Sequence, residues 1–360
     1  MSTPPTEAPA GVTARLPRGL VLDRRWGESP GDAARIRESF DSGRYPLLPE
    51  PAVVVYRIEE GDHAQSGVVV EVAVDDYRAG RVRRHEATQP ERERLLDEFT
   101  ELSGIEQMPV TLAHAPSEAL RSATGRITSA EPDVDLTSGD GTRHTAWVGH
   151  DPWLARTVEL GLTGLDALYI ADGHHRMAAA EHYAARRHHL GARHPAAFTL
   201  AALFPADEMR VFGYHRCLPA SGRAAASVLE ALLSLPATAW WERCAQAIPE
   251  PGVVVVRFAD ECYRLGLRPA GASGRESLDV VALDEQVLPE LGITPITCGN
   301  GSAEHCRHPS GEAVLFDVHP PSIEQIMEVS DAGLLMPPKS TWFAPKPTAG
   351  LFLRDLTRPG

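Results

Sequence analysis

Five consecutive residues, Asp172, Gly173, His174, His175 and Arg176, form the densest cluster of chemically capable side chains in the sequence. The run before them, residues 167–171, is apolar and of strand length. After them the pattern turns helical to about residue 188, with Met177, Ala180 and Ala184 on one face. A strand that turns through glycine into a helix leaves the helix's first backbone N–H groups and the positive end of its dipole free for an anion. Gly173 allows a ligand to approach the backbone closely. His174, His175 and Arg176 add donors, and the guanidinium fork of Arg176 matches phosphate geometry. Asp172, at the carboxyl end of the strand, is placed to hold Mg²⁺ or to take a proton. A lone Asp-Gly turn would read as a helix cap with solvated histidines. The whole succession reads as a phosphate site.

Three further clusters invite chemistry. In Arg83-Arg84-His85-Glu86-Ala87-Thr88 a carboxylate sits just ahead of a helix start with cations upstream, a setting for an ionised general base, although a solvated charge run is the commoner fate of such a string. In residues 336–343, MPPKSTWF, Lys339 precedes the hydroxyls of Ser340 and Thr341. No GxxxxGK[ST] loop leads into it, and a proline-fixed loop packing Trp342 and Phe343 explains the spacing equally well. Cys298, His305, Cys306 and His308 are zinc-type ligands without the usual CxxC or HxxxH pairing, so a metal there is the minority reading. Neither a GxSxG elbow, an HExxH helix nor a GxGxxG turn after a strand occurs.

The elements that must position these groups are legible in part. The β-branched runs 53–57 and 68–74 predict strands joined by a hairpin-type connection at residues 59–62. Thr88 as N-cap, Pro90 in the first turn and Glu91 three residues on predict a capping box, with Leu95, Leu96, Phe99 and Leu102 on one helix face. Residues 115–143 read as polar and mixed. Strands are expected at 199–204 and 210–214, a helix at 221–235, a hairpin over 253–258 and 261–267, and a second capping box from Ser322 to Gln325. The expected organisation is a tail to residue 16, a nucleotide-binding core over 17–197, and an α+β part over 198–360 that returns to the site near 336–346.

The 360-residue chain has 35 Lys plus Arg against 49 Asp plus Glu, a formal net charge of −14. That acidity opposes nucleic acid and anionic membrane at long range. Its five cysteines are odd in number and unpaired in spacing, which fits reduced thiols better than a secreted disulfide scaffold. The longest apolar runs have strand length, well short of the roughly 20 residues that span a bilayer. A cytoplasmic protein is the expectation.

Several long motifs, taken in order, resemble the family known as domain of unknown function 1015. They are YRIEEGDHAQSGVVVEVAVDDYRAGRVRRHEAT, HTAWVGHD, LYIADGHHRMAAA, VFGYHRCL and MPPKSTWFAPKPTAGL. That family is similar in turn to the ParB/sulfiredoxin-like proteins, among them free-serine kinases with a P-H-E and a D-G-H-H-R segment. The resemblance implies an α/β (α+β) fold, a ParB/sulfiredoxin-like core with a C-terminal α+β extension. It implies ATP or ADP with Mg²⁺, and a kinase acting on a hydroxyl of a free amino acid such as L-serine. Glu86 and Asp172 match the catalytic positions. Gly173, His174, His175 and Arg176 match the phosphate contacts, with Lys339, Ser340 and Thr341 closing over them. His85, Thr88, His144 and Trp147, in matching stretches, are expected to bind substrate, and Asp172 to hold the magnesium. Where the family motif continues with an aromatic, this chain has Met177. Two other readings stay open: a nucleotide-binding regulatory module without catalysis, and a metal-dependent hydrolase using His174, His175 and His144. The expected partners are the small-molecule substrate and the nucleotide, with a homodimer allowed.

Overall fold

The structure is a computed structural model that describes residues 11–23, 32–43, 47–219, 223–258, 261–292, 294, 296–298 and 313–357. The chain divides into two compact units. The first comprises residues 1–84, 88–209 and 345–360, the second residues 85–87 and 210–344. The fold is mixed α/β.

A nine-stranded sheet organises the first unit. Its strands are β1 (Ala14–Arg15), β2 (Val53–Glu60), β3 (His63–Ala73), β4 (Val82–Arg83), β5 (Val110–His114), β6 (Val134–Thr137), β7 (Arg143–Gly149), β8 (Leu168–Asp172) and β9 (Phe198–Pro205). They lie in the order β4-β8-β5-β9-β3-β2-β7-β6, with β1 beside β3. β8 runs parallel to β4, and β9 parallel to β5; the remaining pairs are antiparallel.

The valine runs of β2 and β3 are continuous because both sheet faces are covered. Val53, Val55, Val68, Val70 and Val72 point into one apolar cluster with Leu112, Ile170 and Met177. Val54, Tyr56, Ile58 and Val69 point into another with Leu200, Phe204 and Phe352. Gly67 is required where β3 meets β9, since a Cβ there would lie 2.1 Å from the Leu203 carbonyl oxygen.

Two helices matter for the site, α1 (Pro90–Ser103) and α2 (His174–Arg187). The expected Thr88–Glu91 capping box does not form. Pro90 opens α1 at its first position, Gln89 is the N-cap, and Glu91 pairs instead with Arg94. Nor do the four apolar residues share a buried face. Asp97 and Glu101 pair with Arg186 and Arg187 of α2, an orientation that leaves Leu95 54% and Leu102 75% exposed. The 115–143 stretch also departs from expectation. It forms a helix, Glu118–Ile127, and the strand β6, whose apolar positions are too few and short for periodicity to register.

β9 belongs to the large sheet, so the first unit runs past residue 198 to residue 209. It also takes back the C-terminal strand Phe352–Asp355, which pairs with Leu20–Leu22 and Ile105–Glu106. Fully buried Arg354 anchors that return, with Nε 3.0 Å from Glu71 and Nη1 2.6 Å from Glu106.

The second unit is built on a six-stranded antiparallel sheet in the order Thr238–Cys244, Glu261–Leu267, Val253–Phe258, Ala313–Asp317, His215–Pro219, Ile296–Cys298. The hairpin expected at 253–267 forms its second and third strands. Helix Ile323–Asp331 opens with the reciprocal Ser322–Gln325 box. Arg210–Phe212 pairs with Trp342–Ala344 in a separate ribbon. Among the described residues no helix is long and apolar enough to cross a membrane. The expected N-terminal tail to residue 16 lies mostly outside the described residues, as do His305, Cys306 and His308 and the side chain of Cys298.

Candidate functional site

The strand β8 delivers Asp172 to the start of α2 through Gly173, whose φ of +101° lies in the region that favours glycine. Among the described residues no side chain caps this helix. A Cβ at Gly173 would fall 2.7–2.9 Å from the Arg176 guanidinium, so the absence of a side chain is what lets that group fold back against the turn. Arg176 Nη2 then donates to Asp172 Oδ2 at 2.7 Å. Its Nε is buried and has no hydrogen-bond partner among the described residues. Arg176 also borders an apolar cavity of about 150 Å³ between α1 and α2, lined by Leu96, Phe99, Tyr183 and Phe198.

A second cation meets Asp172. Lys346 Nζ donates to Oδ1 at 2.6 Å. The Gln65 side-chain amide, donating to the Pro345 carbonyl at 3.2 Å, fixes the preceding residue. Burial alone would push the Asp172 carboxyl up, but Arg176 and Lys346 outweigh it and hold the group down at about 2. Asp172 is therefore an ionised clamp for two cations at neutral pH and a poor proton acceptor. Lys346 was not among the residues picked out by motif, although it lies seven positions after Lys339 in a stretch that was.

His174 is 7% exposed. His175 Nε2 accepts the backbone N–H of Gln89, the N-cap of α1, at 2.9 Å. In its neutral form the ring is thereby left with Nδ1 as its donor. The starts of α1 and α2 are tied by this bond. Met177, in the position of the family's aromatic, is fully buried in the sheet's core cluster.

Thr88 is half-buried just before α1. His144 and Trp147 lie on β7 with opposite facing, as residues three apart on a strand must. Tyr56 Oη and His144 Nδ1 are 2.7 Å apart in the second core cluster, and burial pushes the imidazole down. Trp147 packs in the first cluster and donates its indole N–H to the Ala130 carbonyl at 2.9 Å. Those contacts engage both side chains within the core.

The other expected site residues belong to the second unit, where residues 85–87 meet the 336–344 segment. The Met336 N–H donates to the His85 carbonyl at 2.8 Å. His85, 1% exposed, has Nε2 2.9 Å from Thr341 Oγ1. Ser340 Oγ donates to the Pro337 carbonyl at 2.6 Å. Both hydroxyls expected at phosphate are thus engaged, Thr341 by His85 and Ser340 within the loop. Lys339 has a φ of +58°, which is strained for a residue with a side chain. Its N–H lies 3.5 Å from Glu86 Oε1, and its ammonium stands 5.4 Å from the Tyr214 ring centroid. Arg216, 1% exposed, holds that turn. It binds both oxygens of Asp284 at 2.9 and 2.6 Å and donates to the Lys339 carbonyl at 2.9 Å.

A protein-held magnesium does not fit Asp172, since both of its oxygens are taken by cations. Among the described residues no group of three His, Cys, Asp or Glu converges to hold a metal ion.

No curated protein matches the chain. Among solved structures, SbnI with C-terminal truncation from Staphylococcus aureus is similar over 81% of this chain and 90% of its own, at 13% identity and a TM-score of 0.44. A free serine kinase in complex with AMP is similar over 79% and 91%, at 17% identity and a TM-score of 0.38. A conserved hypothetical protein from Pyrococcus furiosus is similar over 79% and 95%, at 16% identity and a TM-score of 0.37. The family model described as "Protein of unknown function (DUF1015)" matches residues 33–283, well over half of the sequence, and the chain belongs to that family.

Proposed function

We propose that this protein is a nucleotide-dependent phosphotransferase that modifies a hydroxyl of a small molecule, with ATP or ADP as donor and a free amino acid such as L-serine as acceptor. The observation that carries the reading is the uncapped start of α2, where Gly173 opens the backbone and two cations, Arg176 and Lys346, are gathered on Asp172. The positive end of the α2 dipole, a buried Nε and two positive charges form a cradle for a phosphate ester. An arriving phosphate would share Arg176 and Lys346 with Asp172, so the carboxylate holds both cations in place before the ligand binds. Magnesium enters this reading only with the nucleotide, on its phosphate oxygens and water.

Glu86 takes the proton of the acceptor hydroxyl in this reading. Its support is the family resemblance and its place in the chain, three residues before Gln89. Asp172, held ionised at about 2, is better suited to positioning than to proton transfer.

The test is incubation of the protein with ATP or ADP, magnesium and pooled amino acids, read by mass spectrometry. A gain of one phosphoryl group on serine or a related hydroxyl compound is the expected result. Nucleotide binding without any phosphorylated product would instead assign the fold to a regulatory role.

A further inference from the structure

The second unit carries a pair of thiols to which the phosphate chemistry gives no role. Strand Thr238–Cys244 is an edge strand, paired on one side with Glu261–Leu267. In that antiparallel register Cys244 stands directly opposite Cys262, and their sulfurs are 3.1 Å apart. Directly opposed residues on antiparallel strands have Cα separations of about 4.5–5.5 Å, within or close to the range a disulfide spans. Cys262 is 4% exposed, whereas Cys244 is half-buried and open to a small reagent. Arg257 adds a cation on the next strand, with Nη1 3.9 Å from the Cys262 sulfur and Nε 2.8 Å from Asp317.

We propose that Cys244 and Cys262 form a reversible redox site, closed by low-molecular-weight disulfides such as oxidised glutathione into a cross-strand bond that staples the edge strand to the sheet. In the first step the Cys244 thiolate attacks one sulfur of the small disulfide. A protein mixed disulfide forms and one small thiolate leaves, taking up a proton. In the second step the Cys262 thiolate, beside Arg257, attacks the Cys244 sulfur and expels the second small thiol. Two protein thiols are oxidised, one small disulfide is reduced to two thiols, and no other reagent is consumed. Burial and the neighbouring Cys262 push the Cys244 thiol up to about 11, which makes the first step slow at neutral pH.

The test uses the full-length protein, incubated for hours with oxidised glutathione, then denatured, alkylated, digested and analysed by mass spectrometry. The expected product is a Cys244–Cys262 cross-linked peptide, with two of the five thiols lost and both regained after dithiothreitol. Cys244→Ser and Cys262→Ser should each abolish the cross-link. Cys217→Ser, at a buried residue on another strand of the sheet, should leave it intact. Circular dichroism of each variant separates loss of the bond from loss of fold. Recovery of both cysteines alkylated, or of separate glutathione adducts without the cross-link, would overturn the proposal.

Discussion

The ammonium of Lys346 lies 2.6 Å from one oxygen of Asp172, while the guanidinium of Arg176 lies 2.7 Å from the other. A residue near the C-terminus thus completes a motif that the strand-to-helix turn only begins. Lys346→Met should cut affinity for ADP by about tenfold or more, since a charge-assisted hydrogen bond contributes roughly 1.5–3 kcal/mol. Titration calorimetry on the folded variant measures the change. Equal affinity would remove Lys346 from the phosphate site.

Gly173→Ala should disturb the site by geometry alone. The new methyl would meet the Arg176 guanidinium, and a positive φ costs a side-chain-bearing residue roughly 1–3 kcal/mol. A lower urea midpoint together with weakened nucleotide binding is expected. A variant that binds and unfolds like the parent would show that the turn tolerates a side chain.

The pH dependence follows from the sign of the Asp172 shift. Its folded-state value, about 2, lies below the ordinary 3.8, so the folded state favours the carboxylate. The stabilisation is complete above pH ~4 and is lost as pH falls toward 2; a shift of this size amounts to about 2 kcal/mol. Urea denaturation between pH 2.5 and 6 (roughly the linkage window) should show a steeper acid loss in the parent than in Asp172→Asn. Parallel curves would mean that the carboxylate is not held by its two cations.

Glu86→Gln should suppress turnover by a factor on the order of 10²–10⁴ while nucleotide affinity stays nearly unchanged, the pattern of a lost general base. Single-turnover phosphorylation assays separate the two. Normal turnover would reassign the base.

Arg216→Met should destabilise the second unit by about 3–5 kcal/mol, because Asp284 is left without its buried partner and the Lys339 turn loses its anchor. Differential scanning calorimetry reads this as an earlier transition. An unchanged trace would show that the Lys339 turn is held without Arg216.

The local grammar of the sequence accounts for much of this architecture. The turn at Gly173, the hairpin at 253–267 and the Ser322 capping box follow from neighbouring residues, and each forms as read. The departures come from a competing local signal in one case and from long-range partners in the others. Thr88 looked like a helix cap, but Pro90 starts the helix one residue later. Leu95 and Leu102 looked like core, yet ion pairs from Asp97 and Glu101 to α2 turn them outward. Trp147, expected at substrate, packs its indole in the sheet's core. Lys346 has no local signature, because its partner lies 174 residues away in sequence.

The most direct test of the phosphate site is a calorimetric titration of ADP with magnesium into the parent protein and into Arg176→Gln. Saturable binding to the parent, competed by inorganic pyrophosphate, is expected, with at least a tenfold weaker interaction for a variant whose circular dichroism is unchanged. No binding of ADP or ATP to the parent, or equal binding to both proteins, would contradict that site.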